Sequence, residues 1–266
     1  PMKVYISVDI EGCAGITHWD EAEKSHRDYP EFREIMTRET LAAIDGAEAA
    51  GATEIVVKDA HDTGRNLLTA MLPETVRLIR AWAGHPLCMV QDLDSTYDAV
   101  LMVGYHSAAG SEANSLAHTL STDAAEIRLN GVRASEFLVH ALASSMLGVP
   151  TVFVSGDQGL MADVEAANPA ITRCAVKEGR GQSTLSMTPA AACRVIRDGV
   201  TAALAGDRAK ALLKVPDKTV VEITYNNPNL AYRHSWYPGA SHVGNRTIRF
   251  ESQDYFEILR MLNYVT

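Results

Sequence analysis

Four short, nearly unbroken apolar runs, separated by helix-length stretches, constrain this chain more than any other feature. They are "KVYISVD" at 3–9, "TEIVVKDAH" at 53–61, "DAVLMVGYH" at 98–106 and "VPTVFVSGD" at 149–157. A strand that is apolar at almost every position must be covered on both faces, and strands joined through helices lie parallel. The pattern predicts an α/β fold with a mostly parallel sheet flanked by helices. A helix from about Glu31 to Ala50, opened by Pro30 and stopped by Gly51, fits between the first two strands. Asn130-Gly131, two residues that tolerate positive φ, predict a hairpin leading into a helix near Ala134.

Beyond about Val176 the pattern changes. A helix over Pro189 to Leu204, strands at "TVVEITY" and "RTIRFES", and a closing helix "DYFEILRMLNYV" read as a smaller α+β C-terminal lobe. The expected division is residues 1–176 for the α/β domain and 177–266 for the lobe, the lobe being a candidate for oligomerisation. At 266 residues the chain can bury a core of that size. A net charge of −9, with no run of Lys and Arg, argues against nucleic acid as a partner. No segment reaches the roughly 20 apolar residues of a membrane span. Four scattered cysteines without a C-x-x-C pair, and no apolar leader pattern, lead to the expectation of a reduced, cytoplasmic protein.

Parallel sheets gather ligands at the carboxyl ends of their strands. Each apolar run here ends in residues able to bind a metal: Asp9 and Glu11, then Asp59 and His61, then His106, then Asp157. Alternation along an extended chain would direct Asp9 and Glu11 to one side. Glu136, at the predicted helix start, can face the same edge, and His118 follows His106 closely enough to return to it. Two histidines with three carboxylates suit Zn²⁺, Mn²⁺ or Co²⁺ better than Ca²⁺. If Asp9 bridges two cations, each ion has three protein ligands and one open position, as catalytic zinc does. Gly12 would then turn the chain sharply beside the ions.

Each residue also has an ordinary reading. Asp9 could cap a loop, His61 and Asp59 could form a turn, His106 could bond a backbone carbonyl, and Glu136 could simply favour a helix start. Asp59 and Asp157 could instead orient ligand imidazoles. Cys13 reads as a small buried thiol more readily than as a ligand. His18, His26, His85, His140, His234 and His242 show no convergent partners in the sequence. The convergence of the others is what favours a site.

The sequence "SVDIEG" at 7–12 resembles the S-x-D-x-E-G signature of the zinc-dependent D-aminopeptidase family. The resemblance continues through "DAHDTGRNL" at 59–67, "GYHS" at 104–107, "AHTL" at 117–120, "NGVRASEF" at 130–137, "SGD" at 155–157 and "AVKEG" at 175–179. It implies two zinc ions per chain, one on Asp9, Glu11 and His61, the other on Asp9, His106 and Glu136. It also implies an active-site role for His118. A metal-bridging hydroxide would then cleave the N-terminal peptide bond of short peptides containing D-residues, of the D-Ala-D-Ala type. The family further implies a homo-oligomer, a decameric ring being the form expected. The stretch "SAAGSEANSLAH" at 107–118 departs from the family pattern, which bears on substrate preference. Two other functions compete: a metal-dependent phosphohydrolase, although no Lys or Arg adjoins "DIEGCAG", and a non-catalytic, metal-stabilised binding protein.

Overall fold

A computed structural model describes residues 1–266. The four apolar runs form β1 (Met2–Val8), β2 (Ala52–Asp59), β4 (Ala99–Tyr105) and β7 (Thr151–Asp157), with β3 (Val76–Ile79) between the second and third. Together with β8 (Thr172–Arg180) and β9 (Ser183–Ser186) they make a seven-stranded sheet, ordered β3-β2-β1-β4-β7-β8-β9. All its pairings are parallel except the last, β8 with β9. Continuous apolarity has the expected consequence: every residue of β4 and β7 is buried. Helix α1 (Tyr29–Ala49) has Pro30 in its first turn, and Gly51 follows it at φ +93°, where a side chain would be strained.

The remaining strands form a second sheet. β5 (Ala124–Leu129) and β6 (Val132–Arg133) are the predicted hairpin, with Asn130 at φ 49° and Gly131 at φ 80°. They join β10 (Thr219–Tyr225), β11 (Ser241–Gly244) and β12 (Thr247–Ser252) in the order β11-β12-β10-β5-β6. This layer therefore combines residues 124–133 with 219–252. Helices α2 (Glu136–Met146), α3 (Gln158–Ala167), α4 (Pro189–Ala205), α5 (Pro228–His234) and α6 (Tyr255–Val265) complete the fold. β9 and the long helix α4 belong with the first sheet, α4 lying along α1. Tyr255 Oη donates to Val139 O at 2.7 Å, pinning α6 to α2 and the second layer to the first. No helix is long and apolar enough to cross a membrane.

Strand order positions the functional edge of the larger sheet. β2, β1, β4 and β7 are consecutive neighbours, so the residues just after their carboxyl ends stand side by side.

Candidate metal centre

Asp9, Glu11, His61, His106, Glu136 and His118 all converge at that edge, and the first five are buried. Asp9 lies at the middle. Its Oδ1 is 3.3 Å from His61 Nδ1, and its Oδ2 is 3.3 Å from His106 Nε2, so its two oxygens face different imidazoles. Glu11 Oε1 lies 3.2 Å from His61 Nδ1. On the other flank Glu136 Oε2 lies 3.1 Å from His106 Nε2. Two groups thus share Asp9: Asp9–Glu11–His61, and Asp9–His106–Glu136.

Asp9 and Glu11 meet for a different reason than strand alternation. β1 ends at Val8, and a turn closed by Cys13 N donating to Ile10 O at 3.0 Å brings Glu11 round. Gly12 is required there by crowding. A Cβ on it would stand 1.7 Å from Tyr105 O, while Gly12 N donates to Gly104 O at 2.8 Å. The loop after β1 therefore lies directly on the end of β4. Cys13 is a buried thiol whose Sγ donates to Asp9 O at 3.4 Å, and it does not face the cluster.

Each histidine is oriented by a backbone carbonyl. His61 Nε2 donates to Ala22 O at 2.7 Å, which leaves Nδ1 facing Asp9 and Glu11. His106 Nδ1 donates to Ser107 O at 3.0 Å, leaving Nε2 facing Asp9 and Glu136. His118 Nδ1 donates to Leu116 O at 2.9 Å, leaving Nε2 at 3.4 Å from Glu136 Oε1 and 3.9 Å from Glu11 Oε1. A ring committed at one nitrogen presents a fixed lone pair at the other, as a metal ligand requires. The His118 ring also stacks on His106, centroids 4.3 Å apart, and Trp19 packs edge-on against it at 5.2 Å.

Asp59 and Asp157 do not orient imidazoles, as the sequence allowed. Asp59 accepts from Asn66 N, Leu67 N and Asn66 Nδ2, and Asn66 Nδ2 also holds His61 O at 2.6 Å. Asp157 accepts from Ser107 N at 2.8 Å and from the Ser107 hydroxyl. Asp157 acts on the backbone next to His106, and Asp59 reaches the His61 carbonyl through the Asn66 amide. Sequence reasoning misses His140, which is buried one helical turn after Glu136, with Nδ1 bonded to Glu136 O at 2.7 Å, and lines the cavity. Its i, i+4 spacing from Glu136 was the available signal. His18 and His26, partnerless in the sequence, both meet Asp20 at the surface, at 3.4 and 3.3 Å.

The electrostatics describe a pocket that attracts positive charge. Burial, then the neighbouring Glu11 carboxylate, pushes Asp9 up to about 8. Burial alone would raise Glu136 too, but the His106 and His118 imidazoles draw it down to about 2. Burial works against charge on His61 and His106, and the carboxylates outweigh it, holding both well above the ordinary imidazole range. Imidazolium protons thus stand where a cation's charge would otherwise lie. Glu11 Oε2, buried and without a hydrogen-bond partner, is the orphan such a cation would satisfy. Nitrogen and carboxylate donors in this number suit zinc.

The cluster opens into a cavity of about 1240 Å³. Trp19, Lys24 and Trp82 contribute to its wall, and Leu259 and Leu262 of α6 close the side that the second sheet supports. Trp82 is fixed by its Nε1 donating to Asp62 O at 2.7 Å, with Lys58 Nζ 3.8 Å over its ring.

The sequence pattern that defines peptidase family M55, D-aminopeptidase, matches residues 2–264. The D-aminopeptidase of Bacillus subtilis (strain 168) is 29% identical over 267 residues, spanning 100% of this chain and 97% of that protein. A solved structure superposes with a TM-score of 0.92 at 27% identity, covering 99% of this chain and 96% of its own: the Zn-dependent D-aminopeptidase DppA from Bacillus subtilis, described as a self-compartmentalizing protease. With its full length matched in sequence and in fold, the chain belongs to the D-aminopeptidase family of peptidases.

Proposed function

We propose that this protein is a dinuclear zinc aminopeptidase that hydrolyses the N-terminal peptide bond of short peptides bearing D-residues, D-Ala-D-Ala being the type. One observation carries the reading: the two oxygens of a single buried carboxylate, Asp9, each face a different histidine at 3.3 Å. Asp9, Glu11 and His61 would hold one ion and Asp9, His106 and Glu136 the other, with Mn²⁺ or Co²⁺ able to substitute. Bound zinc supplies Lewis-acid polarisation of the scissile carbonyl and a water acidified toward neutrality.

The chain's own groups do the rest. Three histidine tautomers are set by backbone carbonyls before substrate arrives, so no ring must reorient during turnover. His118 serves as acid and base. Its Nδ1–H is engaged with Leu116 O, so Nε2 carries the lone pair that takes a proton as water oxygen adds to the carbonyl carbon. The same Nε2 returns that proton to the amide nitrogen as the C–N bond breaks, releasing the amino acid and a shortened peptide. Stacking on His106 and the edge of Trp19 hold the His118 ring in that orientation.

Homo-oligomerisation around an enclosed chamber, as a decameric ring, extends the proposal. It draws on the self-compartmentalizing relative and on the exposed Tyr232, Trp236 and Tyr264 of the C-terminal elements. A cytoplasmic location is part of the same reading.

The test is zinc quantification per chain together with assay of D-Ala-D-Ala against L-Ala-L-Ala. Two zinc ions and cleavage of the D-peptide are expected. The role of His118 is checked separately: His118→Ala should lose about 10²–10⁴-fold in turnover while both ions stay bound. A protein free of zinc affinity, or one cleaving only the L-peptide, contradicts the proposal.

A further inference from the structure

Asn114 lies in the loop between His106 and His118, and it is 5% exposed. Its Nδ2 donates to Glu11 O at 3.1 Å and to Asp157 Oδ2 at 3.1 Å. Its Oδ1 accepts from Leu116 N at 2.9 Å, and Leu116 O is the carbonyl that orients His118. Asp157 in turn holds Ser107 N, and Ser107 O is the carbonyl that orients His106. One amide therefore reaches the Glu11 carbonyl through one hydrogen bond, the His118 ring through two and the His106 ring through three.

The hub is built firmly. Lys177 Nζ donates to the same Glu11 carbonyl at 2.5 Å and to Ile16 O at 2.7 Å, both within the buried interior. Ala113 is clasped on two sides. Gly179 N donates to Ala113 O at 3.1 Å, and a Cβ on Gly179 would stand 2.3 Å from that oxygen. A Cβ on Gly159 would stand 2.2 Å from Ala113 Cβ. Asp157 also accepts from Leu160 N at 3.0 Å, capping α3, so the carboxylate that grips Asn114 is itself fixed by a helix start.

We propose that Asn114 is a positioning residue for the hydrolytic reaction: its amide, gripped by Asp157, fixes Glu11, His106 and His118 relative to one another. The inference rests on the functional reading above. It predicts more than a loop anchor would. A loop anchor contributes stability alone, whereas a positioning hub must alter zinc affinity and turnover in molecules that remain folded.

The experiment compares wild type with Asn114→Asp, which keeps the shape but turns both donors into acceptors facing Asp157 and Glu11 O. Asn114→Ser, smaller and still a donor, is the second variant, and Glu112→Ala, at an exposed neighbouring position, is the control. Zinc affinity is measured by chelator competition, and kcat and KM on the D-dipeptide, each corrected for folded fraction. Supporting the proposal, Asn114→Asp loses about 10- to 100-fold in zinc affinity or kcat with KM little changed, and Asn114→Ser recovers part of the loss. Wild-type zinc affinity and kcat in both folded variants overturn it. So do losses that merely follow the folded fraction, and so does failure of both variants to fold, since Asn114 would then be a stability residue. A wild type that neither binds zinc nor cleaves peptide sinks the functional reading instead, which keeps the two failures apart.

Discussion

Glu39→Gln is expected to stabilise the protein in alkaline buffer and to change it little in acid. Glu39 projects from α1 into the interior beneath the loop that follows β1, where Oε1 accepts from Ala14 N at 2.8 Å and Oε2 has no partner. Burial pushes this carboxyl up to about 7, against the downward pull of the Ala14 amide, the Cys13 thiol and the Lys177 ammonium. In the unfolded chain it returns to 4.5. Between those values the folded protein binds more protons than the unfolded one, so stability falls as pH rises from about 4.5 and levels off above about 7. At ~1.4 kcal/mol per pH unit, that interval costs ~3 kcal/mol. Glutamine keeps the oxygen facing Ala14 and never ionises. The variant should therefore lie within ~1 kcal/mol of wild type at pH 5 and exceed it by ~3 kcal/mol at pH 8.5, or roughly 6–12 °C in Tm. Urea denaturation of the chelator-treated proteins, followed by tryptophan fluorescence at both pH values, measures the difference. A gap that is the same at both, or that narrows as pH rises, refutes the reasoning.

Three further outcomes are set by the same geometry. Asp9→Asn should remove both zinc ions together, because one carboxylate faces both histidines; mass spectrometry finding one ion at full occupancy would rule out the bridge. Zinc added to the metal-free protein at pH 7 should release protons. His61 and His106 are held protonated by the surrounding carboxylates, so both imidazoles must deprotonate to bind, and affinity falls as pH is lowered. Calorimetry in two buffers of different ionisation enthalpy reads that release, and its absence would count against the cluster as described. Gly12→Ala should destabilise by on the order of 3 kcal/mol or more, since its Cβ would stand 1.7 Å from Tyr105 O; an unchanged denaturation midpoint would contradict that packing.

Much of this protein is local in origin and so was legible in the sequence. Strands apolar at every position have no solvent face, which forces a covered parallel sheet, and such a sheet offers its chemistry at one edge. Asp9, His61 and His106 were readable because each directly follows such a run, and Asn130-Gly131 because a two-residue turn needs no distant partner. Tertiary structure decided what depends on contacts between remote segments. The order β2-β1-β4-β7, set by how helices pack over the sheet, placed those strand ends side by side. The turn at Gly12 is dictated by the carbonyl of Tyr105, far along the chain in β4, and the hairpin 124–133 found its partner in β10. Asn114 carries no motif at all, and its role exists only because Glu11, Leu116 and Asp157 surround it once the chain has folded. Periodicity records which face of an element is buried; only packing specifies which buried groups touch.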